Sequence, residues 1–152
     1  MPEVHVFAER AIAAPAEKVY HCLADYKEHH SKFLPPAFSE YKVEEGGVGE
    51  GTIVSFRVTA GGRERSYRMK VTEPEKGRVL MESDLNTSLV TTFTVTPAGD
   101  GCSIRIDTRW NGANGIKGFM ERLFAPPALR GLYNDELNRL VEYVRTAFVT
   151  TI

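Results

Sequence analysis

From residue 38 to residue 110 the side chains alternate with a period of two, interrupted only by turn-forming residues, and no other feature constrains the fold as much. A period of two sends successive side chains to opposite faces of a strand. Residues 40–45 form one such run and stop at Gly46-Gly47. Thr52, Val54, Phe56 and Val58 alternate with Ile53, Ser55, Arg57 and Thr59, and Gly61-Gly62 joins that run to the next as a hairpin. Arg65, Tyr67, Met69 and Val71 then share one face, and Glu64, Ser66, Arg68 and Lys70 the other. Glu75-Lys76-Gly77 turns the chain again. Val79, Met81 and Ser83 follow, then Leu89, Thr91, Phe93 and Val95. After Pro97-Ala98-Gly99-Asp100-Gly101, a last run sets Cys102, Ile104, Ile106, Thr108 and Trp110 against Ser103, Arg105, Asp107 and Arg109. An antiparallel meander of this kind has one solvated face and one that needs a cover.

The cover is at the C-terminal end. Ile116, Phe119, Met120, Leu123 and Phe124 fit helical spacing, as do Leu129, Leu132, Tyr133, Leu137, Leu140, Val141 and Val144. Pro126-Pro127 between them deletes two backbone hydrogen bonds and crowds the preceding turn, which predicts a break or sharp kink. Ahead of the meander, residues 4–12 read as a strand. Pro15 suits the first turn of a helix that carries Val19, Tyr20, Leu23 and Ala24. Residues 25–33 read as a second short helix closed by Pro35-Pro36. The expected class is α+β: a seven-stranded curved antiparallel sheet, two short N-terminal helices, and a long kinked C-terminal helix across the concave face. No linker or repeat divides the chain, so residues 1–152 are expected to form a single domain, long enough to bury a real core.

Charge narrows the function classes. The chain has 19 Lys+Arg against 20 Asp+Glu, a net charge of −1, and such a balance gives no electrostatic footprint for nucleic acid. No apolar run approaches the roughly 20 residues of a spanning helix, so integral membrane association is not expected. The N-terminus has neither a basic region nor an apolar stretch like that of a secretory signal, and Cys22 and Cys102 form no CxxC. Two reduced thiols in a cytoplasmic protein are the expectation.

The order of elements resembles the helix-grip fold of the START-like (SRPBCC) superfamily. "AIAAPAEKVYHCLAD" (residues 11–25) resembles its strand, Ala-Pro and amphipathic-helix opening. "GGVGEGT" (residues 46–52) resembles its Gly-rich turn, and "GDGCSIRIDTRW" (residues 99–110) its last strand. "FAPPALRGLYNDELNRLVEYV" (residues 124–144) resembles the proline-interrupted closing helix of the bacterial polyketide cyclase/dehydrase-like branch. The resemblance implies a cavity between sheet and helix. It also implies one of several activities, since fold alone does not set function.

The residues expected to line that cavity are Phe56, Tyr67, Met69, Met81, Phe93 and Trp110 from the sheet, mixed with Ser83, Thr91 and Thr108. Phe119, Met120, Leu123 and Tyr133 join them from the helix. An apolar wall with a few hydroxyls is the usual make-up of a small-molecule pocket. Arg10 faces inward if Ile12 does, and an inward guanidinium needs a partner or an anionic ligand. The alternative inward set, His5, Phe7, Glu9 and Ala11, is almost as good. Tyr67 and His29 are the candidate proton-transfer groups. Neighbours His29 and His30 would point about 100° apart on a helix and cannot ligate from one face, so no metal is expected. No nucleotide or nucleophile motif occurs and no cofactor is expected. The first reading is therefore binding of a hydrophobic or aromatic small molecule (a lipid, polyketide or quinone) by a monomer or homodimer. A polyketide cyclase/dehydratase-type enzyme using the same cavity is the alternative. A protein-interaction module working through the Arg57, Arg63, Arg65, Arg68 and Lys70 hairpin is the third.

Overall fold

The computed structural model describes residues 3–60, 62–112 and 115–147; the side chains of residues 60, 63 and 115–124 lie outside the description. Strand β1 (Glu3–Ile12) leads into helix α1 (Ala16–Ala24), and a 3-10 turn (His30–Phe33) precedes the meander. The meander is β2 (Phe38–Glu45), β3 (Ile53–Ala60), β4 (Arg63–Glu75), β5 (Val79–Asp84), β6 (Val90–Ala98) and β7 (Gly101–Asn111), and helix α2 (Gly115–Ala147) closes the chain. Sheet order is β1-β7-β6-β5-β4-β3-β2, with every neighbouring pair antiparallel. The seven strands are those the alternation predicts. The second N-terminal helix is only the 3-10 turn.

α2 is not broken at the prolines: it runs as one helix through Pro126 and Pro127. Each proline forfeits one intrahelical bond. Most helix stability in a folded protein comes from packing of the apolar face, and that face survives. Tyr133, Leu137, Leu140 and Val144 are buried in the common core with Val6, Leu23, Ile104 and Ile106.

Inward faces follow from which cross-strand partners share a side. On β1 the buried set is Val4, Val6, Ala8 and Ile12, which turns Arg10 inward. On β5 the buried residues are Leu80, Glu82 and Asp84, because Leu80 pairs with inward Phe93 and Glu82 with inward Thr91. Met81 and Ser83 therefore face out, opposite to expectation.

The Gly-rich turn between β2 and β3 reaches back to the end of α1. Gly47 accepts from Tyr26 N at 2.8 Å, and Gly49 N donates to the Ala24 carbonyl at 2.9 Å. Gly47 has φ +150°, and a Cβ there would come within 2.3 Å of the Lys27 side chain. Only glycine lets the turn pack so closely. That packing fixes the corner carrying Tyr26 and His30.

On the outer face Arg57 and Arg68 are paired locally. Arg57 meets Glu40 at 3.0 Å and Glu64 at 2.7 Å, and Arg68 meets Glu44 at 2.9 Å. Cys22 and Cys102 are buried, unpaired thiols. Among the described residues, no helix is long and apolar enough to cross a membrane.

Candidate functional site

Between the concave face and α2 lies a cavity of about 60 Å³. Phe56, Tyr67, Met69, Thr91 and Phe93 line it from the sheet, and Leu129, Leu132, Tyr133 and Glu136 from α2. Tyr26, His30, Tyr41 and Glu82 complete its polar end. A space of this size admits a few waters; an engineered cavity of about 150 Å³ is known to take benzene.

Six expected lining residues are thus brought together: Phe56, Tyr67, Met69, Thr91, Phe93 and Tyr133. Thr108 stands just behind them. Its hydroxyl lies 2.8 Å from Thr91 Oγ1 and 2.5 Å from the Tyr133 hydroxyl. Met81 belongs to the outer face with Thr92 and Thr94. Trp110 is half-buried against the core edge and is not among the lining residues. Arg10 spends its guanidinium on the helix, donating to Asn138 Oδ1 and, at 3.0 Å, to Asn134 Oδ1. It ties β1 to α2 rather than facing the cavity. His29 sits outside the corner with its Nδ1 2.6 Å from the Tyr143 hydroxyl. Phe119, Met120 and Leu123 lie outside the described side chains.

The chemistry sits in residues the sequence reading passed over. Glu82 is 5% and Glu136 3% exposed, in a mostly apolar wall. Burial pushes the Glu82 carboxyl up to about 7, with the Tyr26 hydroxyl pulling the other way. Burial, helped by the charge of Glu82, pushes Glu136 up to about 8. Tyr26 donates to Glu82 Oε2 at 2.5 Å, and Tyr41 donates to the Tyr26 carbonyl at 2.6 Å. His30 stacks on Tyr26 with ring centroids 4.3 Å apart and 12° between planes. Its Nδ1 lies 2.6 Å from the Leu23 carbonyl, so that nitrogen carries the proton and donates. Nε2 then faces Glu82 Oε2 at 3.8 Å. Burial holds the imidazole down at about 4, so it is neutral near pH 7.

Two buried carboxyls within electrostatic reach of each other titrate as a pair. Near neutral pH they hold between one proton and two. One carboxyl can then donate while its neighbour accepts, and the Tyr26 phenol, with the His30 imidazole beside it, holds Glu82 in place. A signal for Glu136 was present: it falls on the apolar stripe of α2, between Tyr133 and Leu140. Glu82 has none, because apolar content favours the opposite face of Val79–Asp84.

A family model described as polyketide cyclase/dehydrase and lipid transport matches residues 3–145. The chain belongs to this family. Among solved structures, KanY is 35% identical, covering 95% of this chain and 99% of its own, with a TM-score of 0.84. A Thermus thermophilus protein is 22% identical over 97% of this chain and 100% of its own, with a TM-score of 0.76. The Zhui aromatase/cyclase from a Streptomyces species is 17% identical over 98% and 100% of the two chains, with a TM-score of 0.77, and shares the fold. No curated protein matches. In this chain two acids, Glu82 and Glu136, line the sheet–helix cavity.

Proposed function

We propose that the protein binds an aromatic or polyketide-like molecule bearing an enolisable carbonyl in the sheet–helix cavity, and moves protons on it. The single observation that carries this reading is the buried Glu82–Tyr26–His30 cluster facing Glu136 across apolar walls. A carrier of hydrophobic cargo gains nothing from two acids whose burial opposes folding. Acids held near neutrality in a dry site are suited to general acid–base work. Protonated carboxyl would hydrogen-bond the carbonyl, while ionised carboxyl removes the proton from the adjacent carbon. Phe56, Phe93 and Met69 supply the apolar bed for a ring. The family description and the aromatase/cyclase neighbour support this class of substrate. Arg57 and Arg68 are engaged by neighbouring carboxylates, which leaves less of the basic hairpin for a protein-interaction role. Buried, unpaired Cys22 and Cys102 suit a reducing compartment and support a cytoplasmic location.

Benzoylacetone, an aryl β-diketone, is a suitable probe. Its binding is followed by calorimetry and its exchange of carbon-bound hydrogen with solvent deuterium by NMR. The wild type should accelerate exchange over buffer. Glu82→Gln and Glu136→Gln should each lose about 10²–10⁴-fold of that acceleration while still binding the probe. Binding without any acceleration would leave the carrier function alone.

A further inference from the structure

We propose that His21, Asp25 and His29 form a site for one divalent transition-metal ion of the zinc class, at the corner between α1 and the 3-10 turn. The three positions recur at intervals of four residues. On a helix that interval places side chains on one face. α1 carries His21 in its last turn and Asp25 as its C-cap. The chain then turns and brings His29 back against His21, with ring centroids 5.2 Å apart and planes at 67°. His21 Nε2 lies 3.9 Å from Asp25 Oδ2. One ligand atom from each of the three residues lies within 4.8 Å of the others.

A tetrahedral site with bonds of about 2.0–2.2 Å holds its ligands about 3.4 Å apart. The 4.8 Å limit therefore has to close by about 1.4 Å at most. The His21 side chain is 52% exposed and has the rotational freedom to do so.

The other two ligands are held in place. Asp25 Oδ1 accepts from the backbone of Lys27 at 3.1 Å and of Glu28 at 2.9 Å, while Oδ2 is the oxygen near His21. The Tyr143 hydroxyl reaches His29 Nδ1 from α2 at 2.6 Å. Coordination through Nε2 preserves that contact, and outer partners of this kind orient histidine ligands in metal sites. Two imidazoles and one carboxylate favour zinc, cobalt or nickel over magnesium or calcium, and leave a fourth position for water. The ion would also brace the corner that carries Tyr26 and His30. Weighing His29 only against His30 misses this set, because the partners of His29 are His21 and Asp25.

The test is titration of metal-free protein with Co²⁺, read by visible absorption, and with Zn²⁺ in competition. The wild type should bind one ion with the intense spectrum of a low-coordinate nitrogen–oxygen site, and Zn²⁺ should displace it. Tyr143→Phe keeps all three ligands and should weaken binding about 10–100-fold. His21→Gln should weaken it further and abolish any rise in melting temperature caused by Zn²⁺. Should Tyr143→Phe fail to fold, His21→Gln decides alone, since the His21 side chain is half exposed. Binding that survives His21→Gln, or a wild type showing only the weak spectrum of hydrated Co²⁺, overturns the site.

Discussion

Two carboxyls buried together work against folding whenever they would ionise in water, and the sign can be followed through pH. In the unfolded chain a Glu titrates at about 4.3. In the folded protein burial pushes Glu82 up to about 7 and Glu136 up to about 8. Below about pH 4 both states carry the neutral acids, and no penalty exists. As pH rises, the unfolded chain gives up its protons while the folded chain keeps them, so stability falls until the folded pair ionises. Glu136→Gln removes one member of the pair and keeps its shape. Each pKa unit is worth about 1.4 kcal/mol and the shift is nearly four units, so this variant should gain up to about 5 kcal/mol at pH 8 and almost nothing at pH 4. Urea unfolding at the two pH values measures it. An equal gain at both would mean that Glu136 is not held neutral by burial. At this scale the sequence is a poor guide. Thr91, Phe93 and Tyr133 could be placed from period alone, whereas no spacing marks His30 as buried, although it is 3% exposed.

At the scale of elements, β5 and α2 show where pattern reading fails and why. β5 offers Val79, Met81 and Ser83 on one face and Leu80, Glu82 and Asp84 on the other. Apolar content favours the first set. The structure chooses the second, because the strand's face is dictated by β4 and β6: Val71 lies opposite Glu82, and Phe93 opposite Leu80. In α2 the local rule at Pro126-Pro127 yields to packing further along. The two lost bonds remain, though, and leave the carbonyls of residues 122 and 123 without their helical donors. Local opening should therefore cost less before the prolines than after them. Hydrogen exchange should be faster across residues 116–124 than across residues 132–144. Pro127→Ala restores one donor and should slow exchange in the earlier segment. Uniform protection along α2 would count against this.

For the molecule as a whole, strand number, the consecutive pairing of the meander and the covering helix were readable because each is written in a long run of periodic residues. The polar end of the cavity was not, because it is assembled from the corner after α1, from β2, β5 and α2, each giving one or two residues. A space of about 60 Å³ also has to more than double before it takes even one aromatic ring. On the proposed function, entry of an aromatic ligand would require α2 to move away from the sheet, and the apparent affinity would be lowered in proportion to how seldom such an open state is populated. Leu132 is half-buried on the helix side of the cavity. Leu132→Ala removes wall volume where the ligand has to push. It should destabilise the protein by about 1–3 kcal/mol, toward the low end for a partly exposed leucine. It should also raise the association rate of benzoylacetone, because less opening is needed before the ring can enter. Stopped-flow binding beside urea unfolding separates the two effects. A variant that loses stability while its association rate stays at the wild-type value would show that the closed helix does not limit entry.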